Sequence, residues 1–218
     1  MIMQILMEKE NEVYLRLSCE PGVKMELNHY FRFHPKDYQF MPMFRRRKWD
    51  GYVYLYNMDN GKIYYGLKNR IQRFASDREY KLIDQTNDSI EHISNEEYFK
   101  FLTSFPCEYK LRDYQNNAIR HSINERRCVL LSPTASGKSL IIYYLVRYYF
   151  PQKSLIIVPT LSLVSQMYSD FESYADKGFE VEKFVHKIFG GQEKITDKPI
   201  IISTWQSLYG LKKDFFTD

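Results

Sequence analysis

Residues 132–139 read SPTASGKS, and this octapeptide restricts the possible folds more than any other stretch of the chain. A Gly-Lys-Ser ending belongs to a phosphate-cradling loop only where a strand feeds the loop and a helix leaves it. Both flanks comply. "RRCVLL" reads as a short apolar strand before the loop, and a helix is expected from Lys138 to about Tyr149. Beyond it, "SLIIVP" reads as a strand, "SLVSQMYSDFESYA" as a helix, and "KFVHKIF" and "PIIIST" as further strands. Ile- and Val-rich strands alternating with helices specify an α/β fold with a parallel sheet covered on both faces.

The loop departs from the full phosphate-loop pattern at one place, since Ser132 stands where a glycine usually begins it. The chemistry depends most on the residues after that position. Successive backbone amides of Thr134, Ala135, Ser136 and Gly137, with the helix N-terminus behind them, make an anion site. Lys138 would neutralise the β- and γ-phosphates, and the Ser139 hydroxyl would ligate Mg²⁺. Lys138 and Ser139 are therefore the expected catalytic pair, and Ser139 the expected metal ligand. An ordinary Ser/Gly turn is the bland alternative; the spacing and the two flanks together favour a nucleotide.

Upstream, "YKLRDYQNNAI" offers a base-recognition element. The carboxamide of Gln115 can accept from one edge of adenine and donate to another, which a guanine with reversed donors would leave unpaired. Tyr109 or Tyr114 would offer a ring to stack on the base, and Arg112 is counted with the nucleotide-binding residues. The alternative is a surface glutamine on an amphipathic helix.

Before residue 106 the text is different. "IMQILM" and "VYLRLS" read as strands, and Pro21 opens a helix at its first turn. "GYVYLYNMDNGKIYYGL" reads as a hairpin around Asn60-Gly61. "LKNRIQRF" is helical, and Ser94 with Glu97 forms a capping box. Residues 1–105 are expected to form a small α+β domain and residues 106–218 an α/β lobe. The formal charge is only +4, too mild to identify a nucleic-acid binder, but its distribution is uneven. Arg45, Arg46, Arg47 and Lys48 stand together next to Trp49 and near Tyr52, Tyr54 and Tyr56, with Lys62, Lys68, Arg70 and Arg73 beyond. Asp84, Asp88, Glu91, Glu96 and Glu97 come later with no Lys or Arg among them. Basic groups can screen phosphates and exposed rings can stack on unpaired bases, so one DNA-facing side is expected. A merely solvated charge run, with the tyrosines in the core, is the competing reading.

Taken in order, these motifs resemble those of superfamily 2 helicases and translocases. "LRDYQNNAI" is similar to their Q motif, "SPTASGKS" to motif I, "LIIVPTLSLVSQM" to motif Ia, "IFGG" to motif Ib, and "ISTWQSL" to the Thr-containing motif after it. The order of five such stretches is more specific than any one. Within the superfamily the text is similar to the UvsW-type helicases of T-even bacteriophages, a likeness that reaches the first domain through "FRRRKWDG" and "YYGL". The resemblance implies a RecA-like lobe that uses ATP and Mg²⁺ while gripping one strand of DNA. It places Pro159, Thr160, Gly190, Gly191, Thr204 and Gln206 at the strand's sugar–phosphate backbone, which hydroxyls, amides and glycines can meet without reading sequence.

The family also implies branched or single-stranded DNA and RNA–DNA hybrids as partners. Turnover in it needs an acidic pair for Mg²⁺ and arginine fingers from a second RecA-like lobe, and the tail "KKDFFTD" supplies neither, since Asp214 and Asp218 are lone acids. The lobe is therefore expected to be incomplete, with the acidic motif and second lobe downstream. A stand-alone nucleotide-sensitive DNA-binding module is the second reading; a phosphate-loop kinase leaves "VPT", "FGG" and "STWQS" unexplained. Three cysteines without metal spacing, no signal-peptide pattern and no long apolar run lead to an expected cytoplasmic location, the host's if the gene is a phage's.

Overall fold

The computed structural model describes residues 3–87, 92–105, 107–190, 194–211 and 215. It divides into two compact units, Met1–Ser89 and Ile90–Asp218. Pro106, Asp88, Glu91, Gly191, Asp214 and Asp218 lie outside the described residues.

In the first unit, β1 (Gln4–Lys9) and β2 (Tyr14–Cys19) pair antiparallel, β5 (Lys62–Tyr64) joins β2 antiparallel, and β6 (Lys81–Asp84) joins β1 in parallel. The order is β5-β2-β1-β6. Alternation makes one face apolar: Ile5, Met7, Leu15 and Leu17 are essentially buried. Helix α1 (Pro21–Tyr30), with Pro21 in its first turn, and helix α3 (Lys68–Asp77) supply the rest of this core. Val23, Leu27 and Phe31 recur every fourth position and are buried, as are Ile71, Phe74 and Ala75. Each such aliphatic side chain contributes about 1.5–3 kcal/mol over leaving it in water.

The expected hairpin forms only in part. Its turn is built, with Asn57 Oδ1 accepting the Asp59 and Asn60 amides and Gly61 at φ 70°. Its arms go to different partners, however: β4 (Val53–Tyr54) pairs with β3 (Arg32–Phe33), while β5 joins β2, and a single bridge, Tyr56 to Ile63, links them. Burying Tyr56 and Ile63 in the sheet core outweighs a regular two-stranded ladder.

In the second unit α4 (Asn95–Thr103) begins at the Ser94 capping box, where the Glu97 carboxylate and the Ser94 hydroxyl satisfy each other's backbone amides. Tyr98 and Phe101 of α4 pack in the same core as α5 (Asp113–Glu125) and α6 (Lys138–Tyr149), so this helix belongs with the lobe and not with the first domain. The sheet has the order β7-β9-β8, all parallel, from β7 (Ser154–Val158), β8 (Val185–Ile188) and β9 (Ile200–Thr204). Helix α7 (Leu161–Tyr174) comes after β7, the short α8 (Val181–Phe184) precedes β8, and α9 (Trp205–Leu208) comes after β9. Leu140, Ile141, Tyr143, Tyr144 and Val146 give α6 a broad buried stripe.

Two expectations need correction. "RRCVLL" is no strand: no ladder forms over it among the described residues, and Val129 and Leu131 are 87% and 97% exposed. An apolar run becomes a strand only with a neighbour to hydrogen-bond, and none lies beside it among the described residues. Among the described residues the sheet is also not fully covered on both faces, because Leu155 and Ile157 of β7 are 39% and 55% exposed while Ile156 and Val158 are buried.

Candidate nucleotide and nucleic-acid sites

The loop enters α6 through Gly137, which sits in the left-handed region at φ 74° and caps the helix. Only glycine fits there, since a Cβ would also collide with the Gln115 side-chain amide. Ala135 shares the unusual sign, at φ 61°. Hydrogen bonds fix this shape from α5. Gln115, at the third position of that helix and 5% exposed, reaches back so that its Oε1 accepts the Arg112 amide at 2.9 Å, while its Nε2 donates to Ser136 O at 3.0 Å. The Tyr114 hydroxyl donates to the same carbonyl at 2.9 Å and receives Arg112 Nη1 at 3.2 Å. Gln115 thus already serves the protein at both ends, and one N–H and one oxygen lone pair of its carboxamide remain for a base.

Within the loop, the Ser132 and Ser136 hydroxyls hydrogen-bond each other, which gives Ser132 a use that glycine lacks. Lys138 Nζ turns back to donate to Pro133 O at 2.7 Å and Ser132 O at 3.3 Å. The first amides of α6 have no intrahelical acceptor and bring the positive end of the helix to the loop. A cavity of about 570 Å³ opens here, lined by Arg112, Tyr114, Thr134 and Ser136 among others. Tyr109 is 48% exposed and lies edge-on to Tyr174, 5.1 Å between centroids. Tyr174 in turn hydrogen-bonds Ser139 Oγ at 3.0 Å. No spacing rule points to Tyr174, which lies 35 positions from Ser139.

The residues matched to strand-gripping motifs gather at one rim of the sheet. Val158 pairs with Thr204 and Ile188 with Ser203, so Pro159-Thr160, Gly190 and Thr204–Gln206 all leave the carboxyl ends of neighbouring parallel strands. Pro159, Thr160, Gly190 and Gln206 are exposed there. Thr160 also caps α7 by accepting the Leu163 amide at 3.4 Å. Thr204 is 3% exposed and spends its hydroxyl on the Ser207 amide at 3.3 Å. Its neighbour Trp205, 56% exposed, is an accessible ring at this rim, edge-on to the still more exposed Tyr209, and sequence reasoning passes over it.

In the first unit, α2 (Pro42–Arg45) is one turn, and Arg47 at φ 53° ends it. Arg45, Arg46, Arg47 and Lys48 are all exposed, and among the described residues no carboxylate pairs with them. Arg45, Arg47 and Lys48, with Phe44, Trp49 and Asp50, line a cavity of about 610 Å³. The rings around them are mostly occupied. His34 stacks between Tyr38 at 4.0 Å and Tyr52 at 3.8 Å, with the Arg32 guanidinium 4.0 Å over Tyr52. Tyr54 donates to Asp50, which lowers the Asp50 pKa, and Tyr56 is core. The free apolar surface is instead Phe40 and Met43, 60% and 59% exposed. Lys62 and Lys68 are engaged by Glu10 and Asp84, whereas Arg70 and Arg73 are exposed.

Known proteins resemble both parts of the chain. The family described as "Type III restriction enzyme, res subunit" matches residues 108–217, and "DNA helicase UvsW, N-terminal" matches residues 5–84. The ATP-dependent DNA helicase uvsW of Enterobacteria phage T4 is 32% identical over 217 residues, covering 94% of this chain and 42% of that protein. A crystal structure of the UvsW helicase from bacteriophage T4 superposes with a TM-score of 0.84 at 32% identity, over 98% of this chain and 79% of that one. A second T4 UvsW structure gives 0.86 at 30%, over 98% and 45%. The chain therefore spans less than half of the curated relative it matches.

Proposed function

We propose, starting from a chain that belongs to the helicase family described as Type III restriction enzyme, res subunit, and is UvsW-like along nearly all its length, that it is the ATP-binding, DNA-gripping portion of an ATP-dependent DNA helicase or translocase. The observation that carries this reading is the loop itself: Gly137 stands in the left-handed conformation at the start of α6, its preceding carbonyl is pinned by Gln115, Lys138 folds back over the loop, and Thr134, Ala135 and Ser136 line a concave surface.

Among the described residues Lys138 donates to its own loop's carbonyls, and phosphate oxygens are stronger acceptors for an ammonium. Nucleotide binding moves Lys138 from Pro133 and Ser132 onto the β- and γ-phosphates, while the loop amides and the α6 dipole hold their charge. Gln115 offers its remaining donor and acceptor to adenine, Tyr109 or Tyr114 offers a ring, and Arg112 borders the same cavity. Among the described residues no group of three or more His, Cys, Asp or Glu could hold a metal. That suits Mg²⁺ held through nucleotide oxygens and water, with Ser139 the protein ligand. Such an ion neutralises charge on the transferred phosphoryl group. Hydrolysis in this reading also takes an acidic motif and a second lobe to complete the site.

The exposed rim at Pro159, Thr160, Gly190 and Gln206 takes the backbone of one strand, and Arg45–Lys48 takes phosphates of branched DNA or an RNA–DNA hybrid. No described helix is long and apolar enough to cross a membrane, and the proposed place of work is the host cytoplasm. Lys138→Ala tests the assignment: ATP binding should fall by about 100-fold, the loss of two charged hydrogen bonds, with affinity for forked DNA retained. Equal ATP affinity in the variant sinks it.

A further inference from the structure

Helix α7 ends at Tyr174, outside every stretch assigned above to the nucleotide. Its phenol oxygen lies 3.0 Å from Ser139 Oγ, and either oxygen can be the donor. Its ring also meets Tyr109 at 5.1 Å and Tyr143 at 5.7 Å, both edge-on, so the hydroxyl is carried on a braced ring.

A serine hydroxyl has one proton and two lone pairs. To ligate a cation it must turn its lone pairs toward the ion and send its proton elsewhere, which needs an acceptor on the opposite side. We propose that Tyr174 is that acceptor: its oxygen accepts a hydrogen bond from the Ser139 hydroxyl, with no proton transferred, and so orients the Ser139 lone pairs toward the divalent cation that accompanies a bound nucleotide. The proposal rests on the reading of Ser139 as a Mg²⁺ ligand and makes Tyr174 a positioning residue. The bond joins the first turn of α6 to the last turn of α7, so its geometry is set by two packed helices and not by a mobile loop. Groups that orient a metal ligand commonly change metal affinity by about 10–100-fold when removed.

The test uses a fluorescent methylanthraniloyl derivative of ATP, titrated into the chain with excess Mg²⁺ and again in EDTA. Wild type should bind more tightly with Mg²⁺. Tyr174→Phe keeps the ring and should leave the EDTA affinity and melting temperature unchanged, while cutting the Mg²⁺-dependent gain by about tenfold. Ser139→Ala should remove that gain. A full gain in Tyr174→Phe alongside its loss in Ser139→Ala overturns the Tyr174 role and leaves Ser139 as ligand. Equal weakening of Tyr174→Phe in Mg²⁺ and EDTA overturns it in favour of packing alone. A gain retained by Ser139→Ala, or absent from wild type, overturns the underlying reading and this proposal with it.

Discussion

Replacing Arg45, Arg46, Arg47 and Lys48 together with alanine removes four exposed charges that no carboxylate engages among the described residues. If each meets one phosphate, counterion release adds about 0.9 per contact to the salt slope on duplex DNA and about 0.7 on single strands. Four contacts then account for a slope of about 3 to 4, and a fourfold rise in salt, from about 50 to 200 mM, should cost wild type about 100-fold in affinity that the variant never had to lose. Fluorescence anisotropy of a forked oligonucleotide over a KCl series reads both quantities. The substitution spares Phe44, which packs edge-on against Tyr38 at 4.9 Å, and exposed positions cost within about 0.5 kcal/mol each, so the melting temperature should hardly move. An unchanged slope refutes the phosphate contacts, even if affinity falls.

Two predictions concern the lobe's own stability. Gly137→Ala puts a Cβ into the left-handed region and against the Gln115 amide. It should cost about 1–2 kcal/mol for the backbone and about 1 kcal/mol more if the bond to Ser136 O breaks; an unchanged melting temperature would contradict the pinning of the loop. Arg147, held between Phe105 at 4.2 Å and Phe179 at 4.4 Å, donates to Asp176 at 2.8 Å, so Asp176→Ala should destabilise by about 3 kcal/mol in urea unfolding. Burial works against the Asp176 charge, but Arg147 and the Gly178 amide outweigh it and hold the pKa below 3.8. The folded value is depressed, so this stabilisation is complete above the unfolded pKa and lost as pH falls through the folded one. Wild type should therefore lose more stability than Asp176→Ala between about pH 4 and 2, and parallel acid profiles would refute the pairing.

Local rules make some elements legible, and long-range pairing hides others. Helix α6 begins at Lys138 and ends at Tyr149 as its sequence suggests, because a left-handed glycine and a dense apolar stripe define it locally. Strands β7 and β9 come from branched apolar runs, and the Ser94 capping box is a four-residue signal. "RRCVLL" misleads because strand formation depends on a neighbour that composition does not reveal. The arms around Asn60-Gly61 mislead for the same reason, since β2 and β3 draw them apart. The sequence points Gln115 at adenine, but its hold on Arg112 N and Ser136 O emerges only in three dimensions. Tyr174 and Trp205 carry no spacing signature, and only spatial proximity or exposure brings them forward.

The most direct test of the central claim is equilibrium titration of the chain with ATP and with GTP in Mg²⁺, alongside Lys138→Ala. The account predicts saturable ATP binding at one site, GTP at least about tenfold weaker because Gln115 leaves reversed donors unpaired, and little binding of either by the variant. Absence of ATP binding, or identical curves for wild type and Lys138→Ala, would mean that the loop from Ser132 to Ser139 is a structural turn and not a nucleotide site.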